Sequence, residues 1–399
     1  MASPKLRFKE FDGDWCISPL KNLCKINQGL QIAIEERFLE DAENRFFYIT
    51  NEFLRDGAKK SYFIENPPIS VRCKSEDILM TRTGNTGQVV TNVEGAFHNN
   101  FFKIDFDRKQ IDKNFFVEFL RKNTTQHLIL KYAGASTIPD LNHSDFYRIQ
   151  MPITSIDEQT KIASFLSAVD EKISQLTQKH ELLSQYKQGM MQKLFSQQIR
   201  FKADDGSEFG EWEEIVLSDV ATRIKRKNKE DNQNALTISA QMGLVNQQEY
   251  FSKQIASRDL TKYYLLHKGE FAYNKSYSAG YPMGAIKRLK LYEKGVVSTL
   301  YICFSLNTEI NSDFFEHYVE SGALVPELEK IAQEGARNHG LLNISLQEFF
   351  EVALFKPCLE EQTKIANFLS SIDQKIEVVA EQIEQAKTWK KGLLQQMFV

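Results

Sequence analysis

The sequence predicts an α+β protein in which two similar α/β globular domains are joined by two long antiparallel coiled-coil helices, with pseudo-two-fold symmetry. Three observations lead to this fold class. The stretches 157–195 and 360–398 align with each other without a gap and share the run EQTKIA. Each stretch carries an apolar stripe with a 3.5-residue period. Each stretch also follows a segment in which strand-like and helix-like patterns alternate. An internal repeat of this kind determines the fold class before any single element is considered.

The two repeated stretches have the pattern of helices that pair through a narrow apolar seam. The first seam comprises Ile162, Leu166, Val169, Ile173, Leu176, His180, Leu183, Lys187, Met190 and Leu194. The second comprises Ile365, Leu369, Ile372, Ile376, Val379, Ile383, Ala386, Lys390, Leu393 and Met397. A 3.5-residue repeat kept over this length buries one stripe against another helix. We expect the two helices to pair with each other; the alternative is two separate amphipathic helices, each packed on its own domain.

The direction of pairing follows from the connection between the first helix and the second domain. The bridge 196–200 is too short to return the chain to the first domain. The second domain must therefore begin near the far end of the first helix. If the second helix shares the seam while leaving that domain, it has to run antiparallel to the first.

The chain divides into four predicted segments. Residues 1–153 form the first globular domain, 154–199 the first spacer helix, 200–356 the second globular domain and 357–399 the second spacer helix. The second domain repeats the order of the first, with Trp212 in the place of Trp15. In the first domain, alternating and aromatic-rich runs predict strands at 46–50, 78–80, 88–91, 101–106 and 149–153, and helices at 114–121 and 125–132.

Composition narrows the class of protein. The 399 residues are 42% hydrophobic, and the net charge is −3, so the chain is not a polycation. The five cysteines are scattered and form no CxxC pair, which favours a reducing compartment and disfavours a structural zinc site. No signal peptide and no long apolar run occur, so we expect a cytoplasmic protein without a membrane contact.

The motifs that could carry catalysis have simpler explanations. The run 66–69 reads NPPI, which is similar to the catalytic loop of amino-methyltransferases, but Ile69 replaces the aromatic residue that would stack on a flipped base. Asp140 with 170–172 imitates a metal-dependent nuclease motif, yet a solvated helix face explains 170–172. No phosphate-binding loop of the form GxxxxGK[ST] is present. We therefore expect a non-catalytic chain without a metal site.

Three sets of polar and basic residues suit nucleic-acid contacts. The stretch 223–229 holds five cations in seven residues, which suits phosphate binding. Glycine-flanked loops at 82–87 and 274–281 form a matched pair, and so do the loops at 134–137 and 335–340. Their side chains can read base edges or contact phosphate. The candidate DNA-binding residues are Arg82, Thr83, Asn85, Thr86, Ser136, Thr137, Arg223, Lys225, Arg226, Lys227, Lys275, Tyr277, Tyr281, Arg337, Asn338 and His339.

The whole chain resembles the specificity (S) subunit of type I restriction-modification systems. The resemblance is carried by the twin EQTKIAxFLSxxDxKI helices, by Pro152 and Pro357 before them, and by the Trp15 and Trp212 entry segments. It implies two target-recognition domains, each reading one half of a split DNA sequence, with the paired helices as a spacer.

The resemblance also implies partners. Two modification (methyltransferase) subunits would bring S-adenosylmethionine, and restriction (translocase/nuclease) subunits would bring ATP and Mg²⁺. No cofactor would be bound by this chain itself. The alternative function is a non-catalytic coiled-coil adaptor that binds protein partners, and salt-dependent, sequence-specific DNA retention distinguishes the two.

Overall fold

A computed structural model describes residues 3–399 except 56, 58–59, 135–136, 252–258, 279 and 333–341. The chain forms two compact units: the first comprises Met1–Thr177 with Ala380–Val399, and the second comprises Gln178–Val379. Each unit therefore contains a mixed α and β part together with segments of both long helices. The limits of the units fall inside those helices.

The elements of the first part of the chain follow the predicted order. The strands are β1 (Cys16–Pro19), β2 (Cys24–Gln28), β3 (Arg45–Ile49), β4 (Phe63–Glu65), β5 (Arg72–Cys73), β6 (Ile78–Thr81), β7 (Val89–Val90), β8 (Gly95–Phe97), β9 (Phe101–Phe106) and β10 (Gln150–Ile153). The helices are α1 (Lys113–Arg121), α2 (Asn123–Ala133), α3 (His143–Tyr147) and α4 (Ile156–Phe195). The predicted strands correspond to β3, β6, β7, β9 and β10, and the predicted helices to α1 and α2, within two residues at each end.

The core of the first unit lies between one antiparallel sheet and the helices. The sheet has the order β2-β9-β6-β7, and Ile104 of β9 pairs with Ile26 and with Ile78 on its two sides. A second sheet, β4-β3-β8-β5, contains the parallel pair β3–β8. Asp112 caps α1 by accepting a hydrogen bond from the Phe115 N–H at 2.9 Å. The capped helix then buries its aromatic face in the same core as β9.

The second unit has the same order of strands in its main sheet. Its strands are β11 (Glu213–Val216), β12 (Ala221–Arg223), β13 (Leu236–Ser239), β14 (Gly243–Asn246), β15 (Tyr264–His267), β16 (Phe271–Asn274), β17 (Ala285–Arg288), β18 (Lys294–Val297), β19 (Ile302–Leu306) and β20 (Ala353–Lys356). Its helices are α5 (Leu217–Val220), α6 (Gln247–Phe251), α7 (Ser312–Glu320), α8 (Val325–Ile331) and α9 (Leu346–Phe350), followed by α10 (Leu359–Met397). The order β12-β19-β16-β17 matches β2-β9-β6-β7 position by position.

The Glu-Gln pair of the repeated EQTKIA run fastens each long helix to its unit. Glu158 is buried and accepts from Arg7 at 2.7 and 2.8 Å, while Gln159 donates to the Thr154 carbonyl at 2.8 Å. Ser155 caps α4 by accepting from the Glu158 N–H at 3.3 Å. The capping box that Ser155 and Glu158 resemble in the sequence forms only in this direction, because the Glu158 carboxylate faces Arg7.

The second unit repeats this anchor with its own residues. Buried Glu361 accepts from Arg200 at 3.1 and 2.6 Å, and Gln362 donates to the Pro357 carbonyl at 2.8 Å. A buried carboxylate is stable only when it is paired and hydrogen-bonded. The repeated sequence is therefore explained by one requirement, which is to hold each long helix against an arginine from outside it.

The two lysines that interrupt the predicted seam are paired in the structure. In the first unit Lys390 contacts Asp170 at 2.7 Å and Glu118 at 3.1 Å. In the second unit Lys187 contacts Asp373 at 2.6 Å. Asp170 is therefore more than part of a solvated helix face, because it forms an ion pair with a lysine of the other long helix. The apolar positions of both predicted seams are buried or half-buried.

Candidate nucleic-acid interface

The polar loops of the first unit meet at one end of its main sheet. Strands β2 and β6 end there, and β9, which runs antiparallel between them, begins there. Arg82 follows β6 and forms a two-point ion pair with Asp140, with Nε–Oδ1 at 3.1 Å and Nη2–Oδ2 at 2.8 Å. The hydrogen bond from Arg82 lowers the pKa of Asp140 below its usual value. Thr83 also donates to Asp140. Arg82 and Thr83 therefore connect two loops at this sheet end.

The other predicted residues of these loops divide into buried and exposed side chains. Thr86 is buried and donates to the carbonyls of Arg82 at 3.0 Å and Pro139 at 2.6 Å. Asn85 and Thr137 are exposed, and neither side chain has a protein partner within the described part of the chain. Thr86 thus shapes the loop, whereas the polar groups of Asn85 and Thr137 face solvent.

A cluster of amide side chains that the sequence analysis did not select lies at the same sheet end. The Gln28 side-chain amide donates to the Asn99 backbone carbonyl at 2.8 Å, and the Asn99 side-chain amide donates to Gln31 Oε1 at 3.0 Å. Arg82 Nη1 donates to Gln28 Oε1 at 3.2 Å. These residues come from separate segments of the chain. The sequence gives only a weak signal for these residues. It consists of glutamine and asparagine residues near the end of β2 and just before β9.

Gly29 lets the segment that carries these amides approach the sheet. A Cβ atom at Gly29 would lie 2.2 Å from the His98 carbonyl oxygen. The backbone can therefore come close enough for the Gly29 N–H to bond the Phe101 carbonyl at 3.3 Å and for the Leu30 N–H to bond the Phe97 carbonyl at 3.0 Å. Glycine is the residue that permits such close backbone approach.

The basic stretch of the second unit is only partly available to a ligand. The side chains of Arg223 and Lys225 have no hydrogen-bond or ion-pair partner among the described residues. Arg226 forms a two-point ion pair with Glu270 at 3.0 and 3.1 Å. The Lys227 ammonium lies over the Tyr264 ring and donates to a backbone carbonyl. Of the four predicted residues in this stretch, Arg223 and Lys225 are therefore the ones whose cations are not engaged within the described residues.

The loop that follows β16 combines internal anchors with one exposed aromatic residue. Lys275 Nζ donates to the Ile344 carbonyl at 3.1 Å. Tyr281 donates to Glu320 at 2.7 Å and accepts from Lys287, and burial together with Glu320 raises the pKa of Tyr281. Tyr277 is 64% exposed. Of these three side chains, Tyr277 is the one that is exposed.

Four predicted residues lie outside the described part of the chain. They are Ser136, Arg337, Asn338 and His339.

The described residues contain no group of three or more His, Cys, Asp or Glu side chains placed to hold a metal ion. Burial raises the pKa of Cys24, Cys73 and Cys303 to about 12, so these thiols stay protonated and unreactive near neutral pH. Among the described helices, none combines the length and the apolar character needed to cross a membrane.

Comparison with known proteins gives a consistent result across the chain. A specificity-subunit relative, the type I restriction enzyme MjaVIII specificity subunit of Methanocaldococcus jannaschii, is 27% identical over 97% of this chain and 94% of its own length. The crystal structure of the S subunit of a type I restriction-modification system from M. genitalium shares the fold, with a TM-score of 0.58 at 17% identity over 100% of this chain and 99% of that chain. A chain from a structural study of complex assembly and conformational transition in the type I system superposes with a TM-score of 0.56 at 15% identity, over 96% and 97% of the two chains.

The match to a family model is duplicated, as the internal repeat requires. The model for the type I restriction modification DNA specificity domain matches residues 12–185 and again residues 210–388. Each match contains one of the two main sheets, one Glu-Gln pair and most of the long helix that begins at that pair. The chain belongs to the type I restriction-modification DNA specificity family.

Proposed function

We propose that this chain is the non-catalytic subunit that gives a type I restriction-modification complex its DNA sequence specificity, and that it reads a bipartite target. One observation carries the proposal. The same sheet end occurs in both units, between matching strands, but it presents different side chains. The first unit presents amides and Asn85, and the second presents Tyr277 and the cations of Arg223 and Lys225, which are unpaired within the described part of the chain. A duplicated scaffold with two different surfaces suits the reading of two different half-sites.

The long helices are proposed to form an antiparallel coiled coil that relates two target-recognition domains by a pseudo-two-fold axis. Contacts inside each unit support this. In the first unit, Leu6 N bonds the Gln396 carbonyl while its neighbour Arg7 binds Glu158, so the end of α10 lies beside the start of α4. In the second unit, Arg200 binds Glu361 while Lys187 binds Asp373. Residue numbers thus rise along α4 as they fall along α10, so the two helices run in opposite directions there as well.

DNA, two modification subunits and the restriction subunits are the proposed partners, and S-adenosylmethionine, ATP and Mg²⁺ are proposed to be held by those subunits. An exposed aromatic residue at one register of both helices supports docking of the modification subunits along the helices. Trp389 is 54% exposed and packs edge-on against Phe165 at 5.9 Å, and Tyr186, its counterpart in the repeat, is 51% exposed. Half-exposed Trp and Tyr side chains are frequent anchors of protein interfaces.

Docking through these aromatic residues has a stoichiometric test. We expect Trp389→Ala to weaken the binding of one modification subunit by about 2 kcal/mol, roughly 30-fold, and Tyr186→Ala to weaken the binding of the other. The double variant should bind neither. Mass photometry of the assembling complex measures the number of subunits bound, and Glu381→Ala is the matched control on an exposed helix position. Full assembly of the double variant would contradict docking at these residues.

The division of reading between the two units is tested with Asn85→Ala and Tyr277→Ala. Each variant should relax the recognised sequence in one half-site only, because each residue is exposed on a different unit. Loss of one base contact costs about 1–3 kcal/mol. Methylation-sensitive sequencing of a host that carries the complete system gives the recognised sequence. A change of both half-sites by either variant would show that reading is not divided.

The salt dependence of binding separates DNA recognition from a role as a protein adaptor. Purified complex should retain its target duplex over a random duplex, and retention should fall as salt rises because counterions are released from neutralised phosphates. Retention that is equal for both duplexes would favour the adaptor.

A further inference from the structure

The amide cluster of the first unit belongs to a continuous chain of hydrogen bonds across the sheet end, which we call the relay. Asp140 binds Arg82, Arg82 donates to Gln28, Gln28 donates to the Asn99 carbonyl, and the Asn99 amide donates to Gln31. The relay links four segments: the end of β2, the end of β6, the start of β9 and the loop before α3. The side chain of Gln31 is exposed and that of Asn99 is half-exposed.

The segment 29–31 is held against the sheet by more than the relay. Backbone hydrogen bonds from Gly29 to Phe101 of β9 and from Leu30 to Phe97 of β8 already hold this segment in place. Ordering exposed, rotamer-rich amides costs conformational entropy. A surface relay that adds little to folding but fixes side-chain positions is typical of a preorganised binding site.

The groups that the relay leaves unpaired define the chemistry of its ligand. Within the described residues, Asn99 Oδ1 and Gln31 Nε2 have no partner, so the two bonded amides retain one acceptor atom and one donor atom. Exchanging oxygen and nitrogen in both amides reverses the bond between them and still leaves one acceptor and one donor. Either orientation of the pair thus leaves one acceptor and one donor, and in the orientation with Asn99 Nδ2 donating, Gln31 supplies the donor that would meet N7.

This pair matches one base edge in the major groove. Adenine presents the N6 donor and the N7 acceptor, whereas guanine presents two acceptors, cytosine a donor, and thymine an acceptor with a methyl group. Arg82, which could otherwise read guanine, has its Nε and Nη2 committed to Asp140 and its Nη1 to Gln28.

We infer that Asn99 and Gln31 together read the major-groove edge of an adenine that stays paired in the first half-site, with Gln28 and Arg82 as positioning residues. This inference rests on the proposed DNA-recognition function. The second unit cannot read the same base in the same way, because the position before β19 holds Leu300, which is 69% exposed, next to Tyr301. The two half-sites are therefore read with different chemistry.

The inference is tested by removing one atom from the DNA and one side chain from the protein. The assembled complex with its modification subunits is titrated with target duplexes in which each adenine of the first half-site is replaced, one at a time, by 7-deazaadenine, which lacks N7. Wild-type complex should lose about 10-fold in affinity at one position. Gln31→Ala should lose a similar amount on the unmodified duplex and nothing further at that position.

Three controls make the outcome specific. Gln150→Ala removes a matched exposed glutamine from β10 and should keep the wild-type affinity and sensitivity. The nearly isosteric Gln31→Glu should lose affinity as Gln31→Ala does, and Asn99→Ala should relax the same base pair in the methylated sequence. Undiminished 7-deaza sensitivity in Gln31→Ala, or relaxation at a position other than an adenine, would overturn the inference. Absence of sequence-specific retention by the wild-type complex would instead overturn the proposed function.

Discussion

Replacing Arg7 by leucine is expected to destabilise the first unit by about 2–4 kcal/mol, because it leaves the Glu158 carboxylate without its cation. Glu158 is 1% exposed and takes two hydrogen bonds from Arg7. Breaking a buried pair by removing one partner costs about 3–5 kcal/mol, and we expect slightly less here because the Arg7 side chain is 17% exposed. Hydrogen exchange of the β9 and α1 amides measures the change in this unit alone.

Two further variants localise the effect of Arg7→Leu. Arg200→Leu removes the equivalent cation from Glu361 and should destabilise the second unit, with the β19 and α7 amides losing protection instead. Lys9→Leu changes an exposed cation without a protein partner among the described residues and should leave both units unchanged. Loss of protection in both units from Arg7→Leu alone would mean that the anchors do not act locally.

The same anchor should make the first unit sensitive to acid. Burial raises the pKa of Glu158, but hydrogen bonds from Arg7 and Thr154 outweigh burial and lower it below the ordinary value of 4.5. A group whose pKa is lowered by folding stabilises the folded state above its unfolded pKa and loses that contribution as the pH falls through its folded pKa. We expect the free energy of unfolding to fall below about pH 4.5, and Glu158→Gln to flatten this slope. Identical slopes in the two proteins would exclude this carboxylate as the source.

The sequence predicts well the elements whose apolar residues repeat with a regular period within one segment. The seam of the long helices, the strands β6 and β9 and the helix α1 each follow from alternation or from a helical repeat within one segment. The role of Glu158 could not be predicted this way, since its partner Arg7 is 151 residues away. The repeat marked Glu158 as part of a special stretch, but only the fold brings the arginine to it.

The candidate site shows the same division between local pattern and distant partner. Arg82 has the residue type and loop position of a base reader, yet Asp140, 58 residues away, binds it in two places. The converse holds for Asn99 and Gln31, which are 68 residues apart and form one donor–acceptor pair only when β9 lies beside β2. Single loops therefore predict the end of the sheet where these polar side chains gather, but which of the side chains stay unpaired depends on pairing between strands.

A fragment of residues 1–198 tests the pairing of the long helices most severely, because it removes part of the core of the first unit. In the intact chain Leu393, Met397 and Phe398 are buried in that core, and Phe398 stacks on Phe115 at 4.8 Å. The fragment lacks these residues. Its first domain would then expose a contiguous apolar surface, which favours association.

A second copy of the fragment carries the residues needed to fill the gap. In the repeat, Phe195 corresponds to Phe398, Leu194 to Met397 and Lys187 to Lys390. In the second unit Phe195 packs on Phe314 at 5.6 Å, as Phe398 packs on Phe115 in the first. The end of α4 from one copy can therefore occupy the place of the end of α10 in the other, with Lys187 set against Asp170.

We expect this fragment to form a symmetric dimer at micromolar concentration and, with modification subunits, to recognise a palindrome made of the first half-site twice. Light scattering measures the dimer, and methylation-sensitive sequencing measures the palindrome. Lys187→Glu should weaken the dimer, because it would place two carboxylates together at Asp170 in each half of the symmetric pair. The substitution Lys179→Glu, at an exposed position of the same helix, should not. A stable and soluble monomer would mean that the ends of α4 and α10 are not interchangeable, and the antiparallel pairing would lose its support.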